Sequence, residues 1–265
     1  MNRIQFVSDN RPVNNKFICE MRKSGIEVCY GEPCLGDDKE TLYIVDSSEA
    51  FKRYPNSLVV IEDTCEIDDY PDAEYFVMEV EDNEADYFVK IWQRLNNIPW
   101  TIALTDNLII RETIETDVDV FYKMYQNPAM SLYTEKLYSS IEEERKYVSE
   151  YRKKVYGIQG FGIWTIINRK SNEIIGRAGL ITRAGFDDVE VGYAIGCDYQ
   201  NRGYATEAVR ECIKIAHRLE FERIYALIIG QNIPSKRVLE KCGFSYIRNV
   251  EEAGQKYEMW DLILK

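Results

Sequence analysis

The chain has a single histidine, His217, and no Cys-x-x-Cys pair among its seven cysteines. Structural zinc needs clustered thiolates and imidazoles, and a disulfide framework needs an even set of paired cysteines, so neither is expected. No apolar run approaches the roughly 18 residues of a membrane-spanning helix, and MNRIQFVSDNRPV lacks a signal-peptide core. A cytoplasmic protein with no membrane partner follows as the expectation. The G-x-x-x-x-G-K-[ST] run of nucleotide triphosphatases and the G-x-G-x-x-G run of dinucleotide enzymes are missing too. Internal repeats and low-complexity segments are likewise not found.

What remains is ample for a folded core: 265 residues, 45% of them hydrophobic and 12% aromatic. The net charge of −12 is unevenly placed. Residues 1–106 carry 10 Lys and Arg against 22 Asp and Glu, whereas residues 107–265 carry 23 against 23. That asymmetry predicts two domains, 1–106 and 107–265. An acidic first domain repels phosphates and disfavours nucleic acid, while remaining open to a basic protein or a cationic metabolite.

The first part alternates β-rich runs (26–30, 41–45, 57–61, 74–80) with the helical patterns SSEAFKRY and NEADYFVKIWQRL. This reads as a small α/β domain. TLYIVD and SLVVIED end in carboxylates where such strands can meet ligands, which makes Asp46 and Asp63 candidates for phosphate or metal contact, with solvated turn residues as the plainer alternative. Residues 96–107, NNIPWTIALTDN, hold Pro99 and turn formers and are expected as the linker.

The second part opens with a strand at 107–113 and an amphipathic helix ending before Pro128. A second helix follows at 141–155, its acidic first turn and basic last turn suited to the macrodipole. Strand patterns at 161–168, 173–181 and 189–196, separated by turns, form an antiparallel meander. Ala205, Ala208, Val209, Cys212, Ile213, Ala216 and Leu219 then mark one face of a helix. After a strand at 224–230 comes a helix from about Pro234 to Gly243.

Between the meander and the long helix lies DYQNRGYATEAV. A glycine before a helix lets backbone N–H groups approach an anion where the helix end is partly positive. Arg202 adds charge and Thr206 a hydroxyl. The run fits Q/R-x-x-G-x-G/A as Gln200, Gly203 and Ala205, and QNIPSKRVLEKCGF at 231–244 resembles a second signature, N-x-x-[AS]-x-x-[VL]-[YL]-E-K-x-G-F. With the order of strands and helices, these two motifs make residues 107–265 resemble the GNAT superfamily of acyl-CoA N-acyltransferases. GYATEAV and RVLEKCGF look most like the ribosomal-protein N-acetyltransferase branch.

The resemblance implies a mixed, mostly antiparallel central sheet flanked by helices, and acetyl-CoA as co-substrate with no metal. It places Tyr193, Ala194 and Ile195 against the pantetheine arm, with an N–H near Ile195 for the thioester oxyanion. Gln200, Asn201, Arg202, Gly203, Tyr204, Ala205 and Thr206 match the pyrophosphate loop. Asn232 matches a pantetheine contact, and Lys236 and Arg237 could reach the nucleotide phosphates or form a solvated face.

Acetyl transfer to an amine needs a base, because an alkylammonium must lose a proton before it attacks. Glu190 is the candidate, acting through water, with Glu251 and Glu252 as alternatives in the loop before the last strand. Many superfamily members protonate the thiolate with a tyrosine, but that position is Leu239, and Ser235 is the named substitute. His217 reads as a surface residue, Cys197 as packed rather than acylated, and Trp164, Tyr193 and Tyr246 as core or rim aromatics. The acceptor is a primary amine: a protein N-terminus, or a small molecule such as a polyamine, amino sugar or amino acid. The other class of reading is a non-catalytic acyl-CoA sensor that binds a partner.

Overall fold

The computed structural model describes residues 1–7, 13–33, 39–134, 136–252 and 254–264. The chain divides into two units, Met1–Trp100 and Thr101–Lys265.

In the first unit, β1 (Arg3–Phe6), α1 (Asn15–Lys23), β2 (Glu27–Tyr30), β3 (Thr41–Val45), α2 (Ser48–Arg53), β4 (Ser57–Val60), β5 (Phe76–Val77) and α3 (Ala85–Leu95) follow in order. The five strands run β2-β1-β3-β4-β5, every pairing parallel. Strand residues alternate between the faces. Ile4, Phe6, Leu42, Ile44, Leu58 and Val60 pack with Phe17 and Met21 of α1 and Phe88 and Ile91 of α3. Val7, Val45, Val59 and Ile61 pack on the other side with Ala50 and Phe51 of α2 and with Tyr70. Covering on both faces explains why SLVVI reads as an unbroken apolar run. Asn14 and Ser47 cap α1 and α2 through Phe17 N and Ala50 N.

The second unit contains β6 (Thr101–Leu104), β7 (Leu108–Arg111), α4 (Val118–Tyr125) and α5 (Ile141–Tyr151), which passes through a π turn, Arg152–Tyr156, into a short α6 (Gly157–Gln159). Then come β8 (Ile163–Asn168), β9 (Ile174–Thr182), β10 (Val189–Ile195), α7 (Tyr204–Arg218), β11 (Arg223–Ile228), α8 (Ile233–Lys241), β12 (Ser245–Glu252) and β13 (Gln255–Ile263). The eight strands run β12-β13-β11-β10-β9-β8-β7-β6. One pairing in this sheet is parallel, between β10 and β11; the others are antiparallel. Ala208, Val209, Cys212 and Ala216 of α7 are fully buried in a core with Leu108, Trp164, Leu180 and Ile224.

Three expectations change. The segment 96–107 is no linker throughout, because TIAL forms β6 and pairs with β7, which moves the division from residue 106 to Trp100. Trp100 itself stays with the first unit: its Nε1 donates to the Lys90 carbonyl at 2.8 Å and its ring lies 3.5 Å from the Arg94 guanidinium. Glu251 and Glu252 end β12 rather than occupying a loop, since the β12–β13 ladder runs out to Glu252–Gln255. Leu219 leaves the apolar face of α7; it is the residue after the helix and is 41% exposed.

Candidate active site

The register of β10 and β11 marks out the candidate site. The two strands pair at Val189–Ile224 and Glu190–Tyr225 and at no later position, so from Val191 onward the β11-facing edge of β10 has no strand partner. A parallel pair that opens in this way exposes backbone donors and acceptors along one edge, which an extended amide-bearing arm can satisfy. Tyr193, Ala194 and Ile195 lie on that edge. The Tyr193 hydroxyl donates to the Ser235 carbonyl at 3.1 Å, tying the open strand to α8, and burial raises its phenol pKa well above the ordinary value.

The loop from Gly196 to Gly203 turns the chain from β10 into α7. Gln200 Nε2 donates to the Ile195 carbonyl at 2.9 Å, anchoring the loop to the strand end. Asn201 and Gly203 take positive φ of 59° and 86°, and Gly203 is the residue before the first turn of the helix. A Cβ at Gly203 would meet nothing within 4 Å, so the glycine serves the left-handed backbone and leaves the helix end open. The helix is 15 residues long, and its first N–H groups follow Gly203 directly. Arg202 lies 5.9 Å from the Tyr199 ring centroid. Tyr204 accepts from Asn168 Nδ2 at 2.8 Å, and Ala205 packs on the core. Thr206 is half-buried in the first turn. The one acidic residue of that turn, Glu207, is drawn away by Thr105 Oγ1 at 2.6 Å and Asn107 N at 2.9 Å.

On α8, Asn232 is the N-cap and accepts from Ser235 N at 3.2 Å. Ser235 is half-buried and Arg237 exposed. Lys236 is not at large: its Nζ sits 2.7 Å from Glu258 Oε1, and Glu258 also accepts from Trp260 Nε1 at 3.3 Å. Leu239 is fully buried in the core. Cys197 is half-buried after β10 and His217 exposed near the end of α7.

Glu190 points to the other side of the sheet from Val189 and Val191 and is 6% exposed. Arg183, in the connection after β9, donates its Nε to Glu190 at 2.7 Å and its Nη1 to Glu252 at 3.0 Å. The two carboxylates offset the cost of burying that guanidinium and raise its pKa. Glu251 is exposed. No local pattern points to Arg183, because what makes it matter is register between distant strands. Farther along the same sheet face, Arg177 stands opposite Ala194, donates to the Tyr125 hydroxyl at 3.0 Å and covers the Phe121 ring.

In the first unit, Asp63 accepts from Cys65 N at 3.2 Å and caps a 3-10 turn; that hydrogen bond, with those from Thr64 and Cys65 side chains, lowers its pKa. Asp46 follows β3 and is half-buried. Among the described residues no three His, Cys, Asp or Glu side chains are grouped so as to hold a metal ion, and no helix is long and apolar enough to cross a membrane.

Residues 107–245 match the family model described as "Acetyltransferase (GNAT) domain". The chain is 34% identical over 112 residues to "Probable N-acetyltransferase YjcK" of Bacillus subtilis, a match that covers 40% of this chain and 60% of that protein. It is 31% identical over 129 residues to "Uncharacterized N-acetyltransferase YjdG" of the same organism, covering 48% and 74%. Among solved structures, a ribosomal L7/L12 alpha-N-protein acetyltransferase, RimL, in complex with coenzyme A superposes with a TM-score of 0.53 at 18% identity, covering 62% of this chain and 98% of that one. At that identity the likeness establishes the fold.

Proposed function

The chain belongs to the acetyltransferase (GNAT) family, its C-terminal unit being an acyl-CoA-dependent N-acetyltransferase domain, and on that premise we propose that it transfers the acetyl group of acetyl-CoA to a primary amine by direct attack. The observation that carries the reading is the parting of β10 from β11 beside the glycine-started N-terminus of α7. Open strand edge and helix end together suit a molecule with an amide arm and a pyrophosphate.

In this reading the backbone of Tyr193–Ile195 pairs with the pantetheine arm, and the N–H groups from Gly203 to Thr206 receive the pyrophosphate with help from Arg202. Arg237, exposed on α8, is the cation offered to the nucleotide end, whereas Glu258 already engages Lys236. Asn232 contributes through the cap that orients the start of α8.

The neutral amine adds to the thioester carbonyl, the oxygen gains charge near the Ile195 N–H, and the carbon–sulfur bond breaks to release the thiolate. The proton leaving nitrogen passes through water to Glu190, and Ser235 supplies one to sulfur. A thiol's ordinary pKa near 8.5 makes the second transfer the less demanding. A protein N-terminus is the first acceptor to test, as the named activity of RimL suggests, with small amines next.

Loss of thioester absorbance from acetyl-CoA, followed with peptides of varied N-terminus, polyamines, amino sugars and amino acids, tests the reading. Turnover in one class identifies the acceptor. Tight acetyl-CoA binding with silence across the panel would favour the non-catalytic sensor instead.

A further inference from the structure

Around Glu190 lies a cluster of charged and buried polar groups. Two carboxylates, Glu190 and Glu252, both pair with the guanidinium of Arg183. Oε2 of Glu252 is buried with no hydrogen-bond partner among the described residues, and so is the hydroxyl of Tyr225. Tyr225 is fully buried, stands directly opposite Glu190 in the β10–β11 register and carries Phe186 stacked on its ring at 4.8 Å. Its pKa is raised by burial first and then by the charge of Glu190, with Glu252 and Asp188 adding to the effect and Arg183 opposing it. Asp188 is itself paired with Arg223 at 2.5 Å.

A buried carboxylate oxygen and a buried hydroxyl left unmatched are costly unless something completes them. The group that would complete this set is a cation with hydrogens to donate: an ammonium satisfies the Glu252 oxygen and donates to the Tyr225 oxygen. Arg183 and Glu252, each about a quarter exposed, connect the cluster to the surface.

Glu190, which the reacting nitrogen reaches only through a chain of water molecules, and its neighbours Glu252 and Tyr225 lie at a distance from the place of reaction. Glu190 and Ala194 are four residues apart on β10, which at the usual rise is about 13 Å along the strand. Between them the face is apolar: Gly192 lies opposite Gly179, and the Cδ1 atoms of Ile181 and Ile163 come within 3.0 and 3.4 Å of where a Gly192 Cβ would stand. A small amine cannot touch both ends at once. An acceptor with two cationic groups can.

We propose that Glu252 and Tyr225 form a subsite for a second ammonium or guanidinium of the acceptor, held on the order of 10 Å from the amine that is acetylated. The inference rests on the transferase reading above and specifies its substrate class: a diamine, or a peptide with a basic side chain close to its N-terminus. The two sources share one chemistry, and the test separates them.

With the full chain and saturating acetyl-CoA, kcat/KM is measured for alkane diamines of increasing length against monoamines of equal length, and for peptides carrying lysine or norleucine next to the N-terminal residue. The expected result is an advantage of about tenfold or more for the dicationic member of each pair, as one charge-assisted hydrogen bond in a buried site would give. The diamine arm should peak at one chain length. Tyr225→Phe removes a hydroxyl that makes no hydrogen bond among the described residues, so folding is spared, and the advantage should fall toward one; Glu252→Gln should do the same. Equal rates for monoamines and diamines, and for the two peptides, would overturn the proposal, as would a dication advantage that survives both substitutions.

Calorimetric binding of an eight-carbon diamine and of octylamine, with coenzyme A present, reads the subsite without turnover. Preferential diamine binding that Tyr225→Phe abolishes, in a protein that acetylates nothing, would uphold the subsite and sink the transferase reading instead.

Discussion

The two sheets of this chain solve the same problem differently. In the first unit every strand pair is parallel, and the five strands are covered by apolar side chains on both faces. In the second, the parallel pair among the described strands, β10 with β11, is also the one that comes apart, after two residue pairs. A ladder that stays closed spends its backbone groups internally; one that opens leaves a strand edge for something else to bind. The proposed chemistry therefore belongs to the second unit at β10, although the first unit bears almost all the net charge of the chain.

The comparison breaks most readily at Gly203. If acetyl-CoA is held by the open edge and the start of α7, Gly203→Asp should weaken binding by about a thousandfold, because an L-residue is strained at a φ of 86° and its carboxylate would face the pyrophosphate. Calorimetry or the rise in melting temperature with acetyl-CoA measures it. Affinity left near the wild-type value would mean that the cofactor site lies elsewhere, the carboxyl edge of the first sheet included.

A smaller effect is expected at Glu190. Glu190→Gln should lower kcat by about a hundredfold, the lower range for loss of a general base, and change the pH dependence of the rate. Acetyl-CoA affinity should stay near wild type, since the carboxylate belongs to the other side of the sheet from α7. Should rate and pH profile both persist, the Arg183–Glu190 pair is a structural tie and the base is another group.

How far these features can be read from sequence depends on whether they are local. Gly203 before a 15-residue apolar-faced helix is legible because helix period and glycine backbone freedom act over a few neighbours. β1 and α1 escaped because RIQF is only four residues long and offers too little alternation. β6 was hidden by Pro99 and the turn residues around it. Lys236 stands in a recognisable motif, yet Glu258, 22 positions away, decides what its charge does. The Arg183 cluster draws on residues 183, 190, 225 and 252, and only β-sheet register brings them together.

Glu207 sharpens the comparison at its finest scale, because it sits in the first turn of α7 but serves the fold. It accepts from Thr105 Oγ1 at 2.6 Å, Asn107 N at 2.9 Å and Asn107 Nδ2 at 3.0 Å, fastening the β6–β7 turn to the helix. Burial acts to raise its pKa, but the hydrogen bonds from Thr105 and Asn107 outweigh it and the net direction is down from 4.5. A carboxyl whose pKa is lowered on folding contributes stability above its unfolded pKa and loses it as pH falls through the folded value. Glu207→Gln should therefore cost about 1 kcal/mol near neutral pH, with the partly exposed site discounting the usual charged hydrogen bond. Melting curves of the two proteins should converge as the pH is taken below 4.5. A difference that stays constant into acid would place the effect in packing rather than charge, and the helix start would then owe nothing to this carboxylate's ionisation.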